Sequence, residues 1–344
     1  MNSSHSLPGL DLDILDRFLR GQGVTPAGPL EASVITSGRS NLTFRVTDGQ
    51  SIWVIRRPPL AGLTPSAHDV GREYRIVDAL QGTTVPVAPT VARCDDPEVM
   101  GAPFTVVGFV DGTVLRTQEE LGTLADDQLQ SLHLDLIRVL AELHATPTAA
   151  IGLGDFGRPA GFAERQVHRW KKQWGHVATR DLPDLDRLHG LLAERIPVQA
   201  AESIVHGDYR VDNTLLDRTD PTTVLAVVDW EMATLGDPLT DVALMCVYQH
   251  PDFDHVAGEP AASTSLRWPR PRAIAEDYAA ASGRDLGDFD FYLGLACLKL
   301  AVVAEGIYSR HLAGAGSGSG FDTAGEAVPG LVSAGLAALS KGSW

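Results

Sequence analysis

Asp208 is followed five positions later by the amide Asn213, and a second carboxylate, Asp229, stands just after the apolar run Val224–Val228. That set of groups suits phosphoryl transfer to a hydroxyl. One carboxylate orients the attacking group and takes its proton, while an amide oxygen and a second carboxylate hold Mg²⁺ against the phosphates of the donor. The stretch His206-Gly207-Asp208-Tyr209-Arg210-Val211-Asp212-Asn213 reproduces the D-x-x-x-x-N spacing of a kinase catalytic loop, with His206 where such loops have the His of H-R-D. A lone aspartate is most often a turn or cap residue. The amide at this interval and the acid after an apolar strand are what turn chemistry leaves unexplained.

These groups need a scaffold, and the chain supplies one in two parts. Leu12, Leu15, Phe18 and Leu19 recur at helical spacing between Asp11 and Arg20, and Gly21 and Gly23 close this helical arm. Three strand-like runs follow, Ala32–Ser37, Leu42–Thr47 and Ile52–Arg56, the last two joined by the hairpin signal Asp48-Gly49. A helix over Ala67–Leu80 and the runs Pro89–Arg93 and Phe104–Val110 complete a small α+β lobe. Beyond Asp111-Gly112 long helices are predicted at Asp126–His144, Phe162–Trp174 and Leu185–Ile196. The Asp208 loop and the short strands Thr214–Leu216 and Val224–Val228 interrupt them. Asp237-Pro238 offers an N-cap and a first-turn proline for a helix to about Gln249. Asp252–Pro271 reads as a surface loop, Asp290–Leu312 as a buried helix, and Gly314–Gly320 as a flexible linker to a last helix at Ala324–Leu339. The glycine-rich linker lacks the G-x-x-x-x-G-K-[ST] order of a phosphate loop. The expected division is residues 1–110, a nucleotide-binding lobe, and 111–344, a catalytic and substrate-binding lobe.

Composition narrows the partners. Of the formal charge of −16, residues 1–108 carry −2 and the remainder −14. So acidic a second part disfavours nucleic acid, whose phosphates call for clustered Lys and Arg. It leans toward a cationic acceptor unless the acids simply solvate a surface. Three widely separated cysteines, Cys94, Cys246 and Cys297, suggest neither a disulfide framework nor a zinc site and fit a reducing cytoplasm. No basic-then-apolar segment opens the chain, and its most apolar stretch, Phe291–Ile307, is interrupted by Lys299 and Glu305 and too short to span a bilayer, so neither secretion nor membrane insertion is expected. Nothing in the pattern fixes an oligomeric state.

From about Ser37 to Arg310 the sequence resembles the aminoglycoside phosphotransferase and choline kinase group of the protein-kinase-like superfamily. His206-Gly207-Asp208 with Asn213, Asp229-Trp230-Glu231 and Gly236-Asp237-Pro238 with Asp241 carry the likeness. Within that group it is most similar to the kinase-like domains related to those joined to acyl-CoA dehydrogenases. The resemblance implies an α+β, two-lobed protein-kinase-like fold and a phosphotransferase using ATP and Mg²⁺ on a hydroxyl of a small molecule. It implies Asp208 as catalytic base, Asn213 and Asp229 as metal ligands, and Asp241 as a support for the loop. A first-turn acid favoured by the helix dipole would explain Asp241 equally, and His206 reads as a structural hydrogen-bonding residue.

Kinase-like folds also need a basic side chain on the third strand paired with a helical Glu. No lysine precedes Lys171, and Arg56 fills the lysine position of Trp53-Val54-Ile55-Arg56. An arginine still grips phosphate, bidentately and without losing charge. Its expected partner is Glu73, on a helical stripe with Val70, Val77 and Leu80. Val54, two positions before Arg56 on the same face, is placed to roof an adenine, and Arg57 points the other way. Ser37, Gly38 and Ser40 would cover the phosphates from a turn, and by resemblance the backbone of Gly108 and Val110 would meet the adenine edge.

Asp237 follows Asp229 by only eight positions and no A-P-E sequence is present, which leaves no activation segment for a polypeptide substrate. The competing reading is a nucleotide-binding pseudokinase that regulates a partner, motivated by Arg56. A hydroxyacyl-CoA or related alcohol and an aminoglycoside are the acceptors that the resemblance suggests. Trp170, Trp174, Trp268 and Tyr248 are candidates to line the acceptor pocket, with core packing the alternative.

Overall fold

A computed structural model describes residues 7–35, 41–60, 69–198, 202–315 and 320–341. The chain divides into two compact units, Met1–Asp111 with Leu225–Ala233, and Gly112–Val224 with Thr234–Trp344. The first unit thus includes Asp229, which lies far along the sequence from the rest of it.

In the first unit, α1 (Leu12–Gly21) is capped by Asp11, whose carboxylate accepts the Ile14 N–H at 2.9 Å. Then come β1 (Glu31–Val34), β2 (Leu42–Thr47), β3 (Ile52–Arg57), α2 (Val70–Ala79), β4 (Thr90–Cys94), α3 (Pro97–Met100) and β5 (Phe104–Gly108). The strands form an antiparallel sheet in the order β1-β2-β3-β5-β4. The Asp48-Gly49 turn joins β2 to β3 as its sequence predicts. Gly49 sits at φ 89°, open to a residue without Cβ, and the Asp48 carboxylate accepts the N–H groups of Gln50 and Ser51.

β3 alternates strictly. Trp53, Ile55 and Arg57 are buried among Leu15, Leu19, Phe44 and Phe104, where α1 covers the sheet and Phe18 meets Phe104 edge-on at 4.9 Å. Burying a charge there requires partners, and Arg57 finds the carbonyls of Gly9 and Met100. Val54 and Arg56 therefore share the opposite side. The helix expected from Ala67 begins at Val70, after Asp69 caps it at the Arg72 N–H. Ala67 itself lies outside the described residues.

The second unit is mostly helical. Its elements are β6 (Gly112–Thr113), α4 (Gln118–Leu121), α5 (Asp126–Ala145), α6 (Phe162–Val177), α7 (Pro183–Glu194), β7 (Ser203–Val205) and β8 (Thr214–Asp217). After β9 (Val224–Val227), where the chain passes into the first unit, follow β10 (Thr234–Gly236), α8 (Leu239–Val247), α9 (Phe253–Ala257), α10 (Pro271–Ser282), α11 (Phe289–Leu312) and α12 (Ala327–Lys341). β7 pairs antiparallel with β10, and β6 with β8.

Two expectations need correction. Asp252–Pro271 is not a surface loop: it holds α9 and a 3₁₀ turn at Ala262–Thr264, and it buries Phe253, Val256 and Trp268. Polar side chains hold it together, with the Asp254 carboxylate accepting from the Ala261 N–H at 2.9 Å and the Thr264 hydroxyl at 2.6 Å. Secondly, α11 runs 24 residues, long and apolar enough to cross a bilayer, although 83% of its most apolar window is packed inside the protein. Its two interior charges are satisfied there. Glu305 accepts from Thr179 and pairs with Arg180 at 3.1 Å, and Lys299 donates to the Gly207 carbonyl.

Candidate active site

In the first unit the site begins with the alternation of β3. Arg56 Nη1 lies 2.7 Å from Glu73 Oε2, and Glu73, on α2, is buried. Asn41 donates to the other oxygen, Glu73 Oε1, at 2.9 Å. Burial drives the Glu73 carboxyl up. Arg56 opposes the rise, the nearby Asp229 and Glu231 charges add to it, and the result is about 7.

Asp229 enters this cluster from residues 225–233. It adopts a left-handed conformation at φ 65°, a region that Asp tolerates better than most residues. The turn Trp230–Met232 follows, in which the buried Trp230 donates its indole N–H to the Val227 carbonyl at 3.0 Å. A strained, packed turn of this kind fixes where a carboxylate points. Asp229 Oδ1 stands 3.9 Å from Arg56 Nη2. Among the described residues, Asp229 Oδ1 and Arg56 Nε are buried without a hydrogen-bond partner. An unmatched carboxylate oxygen beside an unmatched guanidinium N–H suits a cation and a phosphate respectively.

Val54 is half-buried beside Arg56 on β3, as expected. At the end of β5, Gly108 donates its N–H to the Pro89 carbonyl at 2.7 Å, so that donor is engaged and its carbonyl is what the strand end can offer. Val110 follows in an irregular, half-buried segment. Ser37, Gly38 and Ser40 lie outside the described residues.

In the second unit β7 leads into His206-Gly207-Asp208. Gly207 takes φ 83°, which favours glycine. Both peptide N–H groups ahead of Asp208 are caught by one carboxylate: Asp241 Oδ2 accepts from His206 and Asp241 Oδ1 from Gly207, each at 2.7 Å. Asp241 is fully buried in the first turn of α8, with His144 Nε2 at 3.2 Å and the His144 ring reaching Tyr278 at 2.8 Å. Burial opposes its charge, but the His144 contact and the Gly207 N–H outweigh that and hold the carboxyl below its usual range. The helix dipole alone does not account for Asp241; it organises the loop. His206, also fully buried, accepts the Asp208 N–H on Nδ1 at 3.2 Å, which is a structural role.

Asn213 Nδ2 donates to the Asp208 carbonyl at 2.7 Å and to Asp208 Oδ2 at 2.9 Å, which leaves the amide oxygen for another ligand. The other carboxylate oxygen, Asp208 Oδ1, accepts the Tyr248 hydroxyl and faces Arg210 Nε at 3.4 Å. Arg210 also pairs with Asp212 at 2.7 Å. Burial pushes the Asp208 carboxyl up, but Arg210, Lys299 and the Tyr248 hydrogen bond together bring it below the ordinary carboxylate range. Lys299 is itself pushed down to about 8 by burial, against the pull of the Asp208 and Asp241 charges.

The model of the phosphotransferase enzyme family (APH) matches residues 31–288. The chain belongs to that family. It is 32% identical over 310 residues to mouse acyl-CoA dehydrogenase family member 10, covering 89% of this chain but only 29% of the length of that protein. A solved structure from Ralstonia eutropha, provisionally described as an aminoglycoside phosphotransferase, is 34% identical with a TM-score of 0.82, covering 96% of this chain and 98% of that one. A thermostable mutant of the aminoglycoside phosphotransferase APH(4)-Ia, solved with AMP-PNP and hygromycin B, shares the fold at 16% identity and a TM-score of 0.61, covering 96% and 98%. This phosphotransferase family member is thus of the protein-kinase-like α+β class, in a family whose members act on small molecules.

Within this phosphotransferase several contributors escape a reading by motif. Asn41, just ahead of β2, anchors Glu73 from 32 positions away. Trp170, Trp174 and Trp268 are buried as core, with Trp170 under the Lys299 ammonium, 5.8 Å from its ring centre. Of the four aromatic candidates it is Tyr248 that reaches Asp208. Its spacing of seven from Asp241, two turns of helix, was the available signal. Lys299 was visible as a lone cation inside an apolar helix, a placement that demands a partner.

Proposed function

We propose that this phosphotransferase moves the γ-phosphate of ATP to a hydroxyl of a small molecule, with Asp208 as general base and Asn213 and Asp229 as Mg²⁺ ligands. The observation that carries the proposal is the pair of unmatched buried atoms, Asp229 Oδ1 and Arg56 Nε, beside an intact Arg56–Glu73 ion pair. Among the described residues no cluster of three or more His, Cys, Asp or Glu is placed to hold a metal. That suits an ion such as Mg²⁺, which takes one or two protein ligands and completes its shell with water and substrate phosphates.

When bound, Mg²⁺–ATP supplies the transferable phosphoryl group and screens its charge. Glu73 orients the Arg56 guanidinium, which holds phosphate oxygens. The Asp229 carboxylate and the Asn213 amide oxygen hold the metal. Asp208 accepts the hydrogen bond of the acceptor hydroxyl and takes its proton. Its lowered proton affinity favours orienting the hydroxyl over deprotonating it early, as a loose transition state requires. The intact ion pair argues for turnover rather than a regulatory pseudokinase.

The acceptor classes are an acyl-CoA-derived alcohol, from kinship to the dehydrogenase-linked proteins, and an aminoglycoside, from the fold neighbours. Arg210 and Lys299 close to Asp208 favour an acceptor without a positive charge beside the reacting hydroxyl. The test is transfer of labelled γ-phosphate from ATP or GTP across hydroxyacyl-CoA thioesters, hydroxy acids and aminoglycosides, with Asp208→Asn as control. Transfer that survives Asp208→Asn would sink the mechanism, and nucleotide binding without transfer to any acceptor would favour the pseudokinase.

A further inference from the structure

The helix α8 touches the Asp208 loop at two points. Asp241 in its first turn holds the backbone ahead of Asp208, and Tyr248, seven residues later and so on the same side of the helix, reaches the Asp208 side chain. Tyr248 is only 5% exposed. Its ring lies 4.9 Å from that of Phe253, and the Arg210 guanidinium sits over both rings, 5.2 Å and 5.5 Å from their centres. Its carbonyl accepts the Ser263 hydroxyl at 3.0 Å. Ring and backbone are therefore both fixed, and the phenol oxygen has one place to be.

We propose that Tyr248 is a positioning residue for the general base: it fixes Oδ1 of Asp208 by a donated hydrogen bond while Asn213 fixes Oδ2. The proposal rests on the reading of Asp208 as that base. With both oxygens held, the carboxylate cannot rotate about its Cβ–Cγ bond, and the acceptor hydroxyl meets one lone-pair direction rather than a distribution of them. Burial, and the Asp208 charge, push the phenol well above its ordinary value, so it remains a donor throughout the working pH range.

The groups facing Asp208 are Tyr248, Arg210, Lys299 and His206, and Asp212 is reached through Arg210. Of these, Tyr248 can lose its contact by removal of one oxygen while its ring stays packed. That loss leaves Oδ1 without its anchor while Asn213 still holds Oδ2, so the carboxylate gains freedom to turn about its Cβ–Cγ bond.

The test is Tyr248→Phe, assayed as kcat against KM on the acceptor found active, with nucleotide affinity measured by calorimetry. The expected result is a kcat about tenfold lower, with KM and nucleotide affinity within about twofold of wild type. An unchanged kcat overturns the proposal, and so does a fall in kcat matched by an equal loss of acceptor or nucleotide affinity, which is what a packing role would give. If the Phe variant does not bind nucleotide, 3-fluorotyrosine placed at position 248 alone replaces it. That side chain keeps the donor, so kcat must stay within about twofold of wild type, and a tenfold fall again overturns the proposal. Retention of transfer by Asp208→Asn would instead defeat the underlying reading of the base.

Discussion

In the first unit the residues assembled around Arg56 leave polar atoms unmatched among the described residues, and two carboxylates, Glu73 at 2.7 Å and Asp229 at 3.9 Å, face its guanidinium. There Glu73 is lifted to about 7, with Asp229, Glu231 and Asp69 adding their charges to its burial. In the second unit, by contrast, both oxygens of Asp208 are occupied, its peptide is clamped by Asp241 through the two preceding N–H groups, and its charge is favoured. On the function proposed above, a region whose ligand would bring both a cation and several anions is left electrostatically incomplete. A region proposed to present one carboxylate to a neutral hydroxyl is completed by the protein itself. The same composition, Asp and Arg within a few ångströms, serves opposite ends according to how many of its hydrogen bonds are filled.

The largest test of this contrast is Asp229→Asn. Weakening the proposed metal ligand should lower transfer by about three orders of magnitude. Because the same change relieves Glu73 of a like charge, the melting temperature should rise by about 1–3 °C, and thermal unfolding beside a transfer assay checks both signs. A fall in both would mean that Asp229 is held by the protein and not kept for a ligand. On the completed side, Asp241→Ala should destabilise the chain by about 3 kcal/mol in denaturant titration, since it strands His144 and two buried peptide N–H groups.

Smaller effects follow at the ion pair. Arg56→Lys should weaken nucleotide binding by about tenfold in calorimetry, because an ammonium paired with Glu73 keeps the charge near phosphate but loses the bidentate fork of the guanidinium. Glu73 supplies a pH dependence. Its carboxyl is raised in the folded protein from 4.5 to about 7, so the folded state favours the protonated form, and the stability this group contributes is greatest below 4.5 and declines as pH rises toward 7. Glu73→Gln should flatten that decline and raise the melting temperature at pH 8 by about 1–3 °C relative to its effect at pH 4. A decline with the same slope in the variant would show that another group titrates there.

Much of this was legible in the sequence because it is local. The alternation of β3 assigned Arg56 and Arg57 to opposite sides, the stripe through Val70, Glu73 and Val77 buried the acid, and the five-residue interval from Asp208 to Asn213 is short enough that its hydrogen bond follows from the loop itself. What escaped depends on contacts between distant segments. Tyr248 meets Asp208 across 40 positions, and Lys299 meets Gly207 across 92. α9 was hidden in a Pro- and Ser-rich stretch because five residues carry too little periodicity, and its formation is decided by the burial of Phe253 and Val256. The membership of Asp229 in the first unit could not be seen in a chain read end to end.

The account turns on a division of labour in which Arg56 and Asp229 bind the nucleotide and Asp208 serves only the transfer. Calorimetric titration of Mg²⁺–ATP into wild-type and Asp208→Asn protein, paired with labelled phosphate transfer on the same samples, measures that division directly. The predicted result is nucleotide affinity within about twofold and transfer reduced by about a hundredfold or more in the variant. Undiminished transfer, or loss of nucleotide affinity together with transfer, would contradict it.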